Sequence, residues 1–140
     1  MRLIRALFLG YVVIVTVILV AANLGIFHQW LPAFFAASWF DKTVHFLSIV
    51  PGTILFNAVL RYRVIPVGSR QLLVGTLIVV VLVSIEECLQ IYIPFRSFEL
   101  IDLFADFAGI TLADYFVRHR LSLLKTVPAA AVMRLLGTRT

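Results

Sequence analysis

Charge is scarce in this chain. Only 14% of its 140 residues are Asp, Glu, Lys or Arg, and only seven are acidic. Apolar residues make up 62% and the mean hydropathy is +1.06, which excludes a water-soluble domain of this size, where about a quarter of the residues are charged. The lone cysteine, Cys88, excludes an intrachain disulfide and any multi-cysteine metal site. Its apolar neighbours suit a small packed residue, so redox chemistry is not expected. There is no HExxH metal motif, no recognisable serine or cysteine triad and no phosphate-binding glycine loop. The length allows one compact bundle and no second domain.

What is abundant is apolar sequence in long runs. Residues 6–27, 43–60, 72–93 and 100–117 each approach the roughly 20 helical residues that cross about 30 Å of hydrocarbon. They predict an all-α, integral membrane bundle of four transmembrane helices over residues 1–120, followed by a basic, alanine-rich tail over residues 121–140 that is broken at Pro128. Residues 1–22 also resemble a cleavable signal peptide. The apolar run passes the about 7–15 residues of such a leader, through Leu24 and Ile26, and reads as an uncleaved first helix. The tight break at Pro94, Phe95, Arg96 and Ser97, with Ser97 placed to cap the next helix, makes the third and fourth helices an antiparallel hairpin.

With the N-terminus inside, ten of the twelve basic residues fall on the cytoplasmic side. Only Lys42 and Arg96 are left outside, a positive-inside pattern that puts both termini in the cytoplasm. The net charge of +5 is then explained by topology and attraction to membrane lipids, with no nucleic-acid partner needed. Trp30, Trp39, Phe34, Phe35 and Phe40 around Pro32 suggest an interfacial segment over residues 28–40. Ala105, Gly109 and Ala113 form a small-residue stripe for close helix packing, and Pro51 with Gly52 suggests a kink in the second helix.

The few acidic residues are misplaced for solvent. Asp41, Glu86, Glu87, Glu99, Asp102 and Asp106 lie within or at the ends of the apolar runs, where carboxylates are costly. Asp41 with His45, Glu86 with Gln90, and Asp102 with Asp106 are each four apart, so each pair shares one helix face. All three pairs fall toward the extracytoplasmic end, with Lys42 and Arg96 beside them. That region carries a net −4 and the remainder +9. So many carboxylates must be protonated, paired with Lys42 and Arg96, or bound to a cation. Glu99 suits the start of the fourth helix as a macrodipole residue. Asp106 lies roughly 9 Å into that helix. Glu86 and Glu87 point about 100° apart, so the two cannot face the pocket equally, and one is expected to pair with Lys42 or Arg96 while the other is functional. Asp114 is expected to pair with Arg118, away from this group.

Asp41-Lys42-x-x-His45-Phe46, Glu87-x-x-Gln90, Pro94-x-Arg96 and Asp102-x-x-x-Asp106-x-x-Gly109, in this order, resemble the VanZ-like family of bacterial membrane proteins. The resemblance covers residues 41–113. Phe95 stands where the family often has glycine, Asp106 where asparagine is frequent, and Ala113 where a second glycine is common. The resemblance implies a multi-pass protein of the bacterial cytoplasmic membrane linked to teicoplanin-type glycopeptide resistance or envelope homeostasis. It brings no defined reaction.

Three functions fit the polar group. Asp41, Lys42, His45, Glu86, Glu87, Gln90, Arg96, Asp102 and Asp106 would bind the headgroup of a lipid, a lipid-linked envelope precursor or a lipophilic glycopeptide. Alternatively, His45 with Glu87, Asp102 or Asp106 would act as general acid and base, or hold a divalent metal, in a membrane enzyme. In a third reading the charges merely join helices within a larger membrane assembly. Buried ion pairs stabilise poorly relative to apolar packing, which makes this a weak account of so dense a cluster.

Overall fold

A computed structural model describes residues 2–27, 38–94, 96 and 98–126. The expected interfacial segment 28–40, the Asp41 side chain, Phe95, the expected Ser97 cap and the tail beyond Thr126 lie outside the described residues or side chains. The described part is mostly helical. Its elements are α1 (Arg2–Asn23), α2 (Ser38–Val59), β1 (Val64–Val67), β2 (Arg70–Leu73), α3 (Val74–Leu89) with a short 3₁₀ extension (Gln90–Tyr92), and α4 (Leu100–Thr126). Three segments are long and apolar enough to cross a membrane: Arg2–Asn23, Lys42–Val59 and Val74–Tyr92. They make this a membrane protein. The longest helix, α4, is not among the three, because Asp102, Asp106, Asp114, Arg118 and Arg120 interrupt its apolar face.

The helices alternate in direction. Phe8 of α1 stacks on Phe56 of α2 with ring centroids 5.2 Å apart, and Tyr11 donates to the Ser48 carbonyl at 2.6 Å, so α1 and α2 run antiparallel. Gly52 makes room for that tyrosine, since a Cβ there would overlap the Tyr11 ring. Asn57 of α2 meets Thr76 of α3, again antiparallel. By contrast α2 and α4 run parallel and form the most extensive interface, because Lys42 reaches Asp102 and His45 reaches Asp106. The basic residues Arg2, Arg5, Arg61, Arg63, Arg70, Arg118 and Arg120 therefore gather at one end of the bundle. Glu86, Glu87, Glu99, Asp102 and Asp106 gather at the other.

The small-residue stripe explains the α2–α4 contact. Gly109 is buried, and a Cβ on it would overlap the Ile49 side chain and stand 3.0 Å from the Phe46 carbonyl oxygen; Ala113 is fully buried one turn further on. The apolar core is thin: Val79, Val83 and Ile110, with Ile49, Phe56, Val80 and Phe107 packed around them. Large apolar side chains such as Leu9, Val13, Leu82, Ile91 and Phe104 point outward, while Thr53, Asn57, Glu87, Gln90, Asp102 and Asp106 are inside. Such an inverted arrangement suits hydrocarbon surroundings, where apolar surface gains nothing by leaving the exterior and polar groups need internal partners.

Two elements depart from the sequence reading. The helix over residues 72–93 begins at Val74, because residues 64–73 form an antiparallel β-hairpin pairing Val64 with Leu73 and Val67 with Arg70. Its turn uses Gly68 at φ 59°, and the turn that follows α2 holds Arg61 and Tyr62, both at positive φ, with the Tyr62 N–H returning to the Asn57 carbonyl at 2.8 Å. Pro51 lies inside α2 on its exposed face. At the far end α4 extends to Thr126, past the expected limit at Val117 and into the segment read as tail.

Gly109→Ala should destabilise the bundle by about 1–3 kcal/mol, the usual cost of overpacking. Gly10→Ala, at a site where a Cβ meets nothing within 4 Å, should be neutral or slightly stabilising. Comparing their unfolding midpoints in an SDS titration checks this; equal midpoints would show that the α2–α4 approach is not tight.

Candidate functional site

Three helix ends and the loop before α4 meet at the acidic end of the bundle. Lys42, in the first turns of α2, places Nζ 2.8 Å from Glu99 Oε2 and 3.1 Å from Asp102 Oδ1. Asp102 is buried at 1% exposure, so the ammonium is its compensation inside a low-dielectric setting. One turn along α2, His45 Nδ1 lies 3.1 Å from Asp106 Oδ2, one turn along α4. The parallel pairing of the two helices thus repeats as two rungs, a consequence of the three-residue spacing of Lys42 and His45 on α2 and the four-residue spacing of Asp102 and Asp106 on α4, each about one turn. Arg96 NH2 approaches His45 Nε2 at 3.4 Å; a guanidinium only donates, so Nε2 accepts there and Nδ1 carries the hydrogen directed at Asp106.

The end of α3 supplies the other side. Glu87 is fully buried, and its Oε1 accepts the Glu99 backbone N–H at 2.9 Å. That bond satisfies an N–H immediately ahead of α4, where the helix leaves donors unpaired and favours a negative charge. Its other oxygen, Oε2, is buried with no hydrogen-bond partner. The neighbouring Glu86 accepts from Gln90 Nε2 at 3.0 and 3.1 Å through its two oxygens, and Gln90 is itself buried. A ligand atom from each of His45, Glu87 and Asp106 lies within 4.8 Å of the others.

A cavity of about 260 Å³ opens beside these rungs, between α1 and the other helices. Its polar end is formed by Tyr11, His45, Ser48, Glu86, Arg96 and Asp106. The remaining wall is apolar: Val15, Ile18, Leu19 and Ala22 from α1, Val44 and Ile49 from α2, and Leu82 and Val83 from α3. The arrangement can accept a molecule with a polar head and an apolar body.

The nine residues proposed from sequence therefore divide. His45, Glu86, Arg96 and Asp106 line the cavity. Glu87 stands behind His45 and Asp106, Gln90 anchors Glu86, and Lys42 with Asp102 forms an ion pair that also takes in Glu99. The side chain of Asp41 lies outside the described side chains. Glu99, read as a simple helix-end residue, is thus part of the cluster through both its side chain and its N–H. Glu86 faces the cavity, and Glu87 is bound to backbone rather than to Lys42 or Arg96.

Tyr11 and Ser48 were not singled out from sequence. A tyrosine near the middle of an apolar span is the available signal, since its hydroxyl needs a partner there. Also missed was a second polar layer near the basic end. Asn57 Nδ2 donates to Thr76 Oγ1 at 3.1 Å, Thr76 donates to Asp114 Oδ1 at 2.8 Å, and Arg118 pairs with Asp114, as their spacing predicts, while donating to the Gln71 carbonyl at 2.9 Å. A lone asparagine in a span carries that signal.

Compared with protein-family models, curated proteins and solved structures, the chain matches none.

Lys42→Met should leave the buried Asp102 without its ammonium and cost about 3 kcal/mol or more. Adding Asp102→Asn should recover part of the loss. Unfolding midpoints of the two single variants and the double variant measure the coupling, and purely additive losses would mean that the pair is not coupled.

Proposed function

We propose that this chain is a four-span protein of the bacterial cytoplasmic membrane that binds a lipid or a lipid-linked envelope component in the cavity on its extracytoplasmic side. The observation that carries this reading is the shape of the cavity: one polar end, made by Arg96, His45, Glu86 and Asp106, continuous with an apolar wall along α1. Arg96 meets an anionic group of the ligand, the carboxylates meet its hydroxyls or amines, and the α1 side chains cover its hydrocarbon.

The fourth span in this reading is α4. It lies parallel to α2 and faces its charges to the interior, where Lys42, His45, Thr76 and Arg118 partner them. The basic end of the bundle is cytoplasmic by the positive-inside rule. The resemblance to the VanZ-like family agrees with this topology and extends the ligand class to lipophilic glycopeptides. It links the protein to teicoplanin-type resistance or envelope homeostasis.

Orientation is open to direct measurement. In a Cys88→Ala background, Ser69→Cys in the β-hairpin should react with a membrane-impermeant maleimide only after the cells are permeabilised; labelling of intact cells would reverse the topology. For the ligand, Arg96→Gln should weaken retention of anionic lipids by about tenfold, one charge-assisted hydrogen bond of roughly 1.5 kcal/mol. Ile18→Trp, which fills the apolar arm, should reduce retention of all lipids. Mass spectrometry of lipids released from the purified protein reads both effects, and unchanged lipid content in both folded variants would rule the cavity out as the site.

A further inference from the structure

We propose that His45, Glu87 and Asp106 form a site for a divalent transition cation of the zinc or manganese kind, set into the wall of the cavity. The inference goes beyond the lipid reading, since it rests on three side chains whose relative placement owes nothing to what fills the cavity.

The first observation is geometric. Ligand atoms from an imidazole and two carboxylates, delivered by three different helices, lie within 4.8 Å of one another. His45 Nδ1 and Asp106 Oδ2 are already 3.1 Å apart. Neighbouring ligand atoms around a tetrahedral zinc with bonds of about 2.0–2.2 Å stand about 3.3 Å apart, so a cation between these two atoms requires little movement.

The second observation is the orphaned oxygen. Glu87 is fully buried, Oε1 is taken by the Glu99 N–H, and Oε2 has no hydrogen-bond partner. An unsatisfied carboxylate oxygen in such a place is costly, and a cation is the partner that compensates it most completely. Other carboxylates of the cluster are already engaged elsewhere: Glu86 with Gln90, and Asp102 and Glu99 with Lys42. Among the described residues, this end of the bundle sets five carboxylates against Lys42 and Arg96, and a divalent ion reduces that excess.

The ligand set narrows the ion. One imidazole nitrogen with two carboxylate oxygens suits zinc or manganese better than magnesium or calcium, which prefer all-oxygen shells. His45 and Asp106 line the cavity whereas Glu87 does not, so coordination positions beyond these three ligands face the cavity. Arg96 opposes the ion. It stands against His45 Nε2, and when Nδ1 coordinates, the imidazole hydrogen moves to Nε2 and the guanidinium turns away.

The test uses the full chain without a polyhistidine tag, stripped with a chelator in detergent and titrated calorimetrically with Zn²⁺ and Mn²⁺. One ion per chain is expected. Glu87→Gln and Asp106→Asn should each lower affinity at least about tenfold, Glu86→Gln should lower it much less, through loss of a nearby charge alone, and Arg96→Gln should raise it. Where a triad variant does not fold, pulsed electron paramagnetic resonance of Mn²⁺ in a His28→Asn, His119→Asn background should show coupling to one imidazole nitrogen, which only His45 then supplies. No stoichiometric binding, no nitrogen coupling in that background, or equal losses in Glu86→Gln and Glu87→Gln would each overturn the site.

Discussion

The close approach of α2 and α4 at Gly109 is the constraint on which the other polar contacts depend. With no side chain at that position, the helices come near enough for Lys42 to reach Asp102 and His45 to reach Asp106. The same approach sets Glu99 under Lys42 and brings its N–H to Glu87, which joins the end of α3 to the start of α4. A wider separation would leave Asp102 and Asp106 buried without partners, and in hydrocarbon that cost is not relieved by water.

The bundle is held by an alternation of layers. A polar layer of Lys42, His45, Glu87, Asp102 and Asp106 lies at one end, and a second of Asn57, Thr76, Asp114 and Arg118 lies toward the other. Between them sit Val79, Val83 and Ile110. Apolar packing alone would let helices slide past one another in a bilayer, since lipid tails are as apolar as the side chains. Directional bonds at both ends set the register of α2, α3 and α4. The result is a rigid polar floor for the cavity.

Against that rigid set, α1 is different. None of its residues is buried, and its contacts with α2 run through Phe8 and Tyr11. It nevertheless supplies Val15, Ile18, Leu19 and Ala22 to the cavity wall. The polar side chains of the cavity therefore come mostly from the three registered helices and the loop before α4, joined by Tyr11, and much of its apolar cover comes from α1. In the lipid-binding reading we propose, such a division preorganises the polar geometry and lets the apolar side accommodate chains of different shape.

Much of this was legible in one dimension. Long apolar runs marked the helices, four-residue spacing placed His45, Asp102 and Asp106 on inward faces, and the segregation of basic from acidic residues marked the two ends. The β-hairpin was not legible, because two four-residue strands carry too little alternation to separate them from a loop or from the start of a helix. Helix ends were also misjudged, since charged residues such as Arg118 continue a helix when Asp114 is one turn away to pair with them. What the sequence determined by itself is that costly carboxylates occur inside an apolar chain and recur on helix faces. Which of them touches which was decided by the tertiary structure: adjacent glutamates, four and three residues before Gln90, took opposite roles, Glu86 on the cavity and Glu87 behind it. Ion pairing and hydrogen bonding depend on distances across helices, and only the packing at Gly109 and the end of α3 sets those distances.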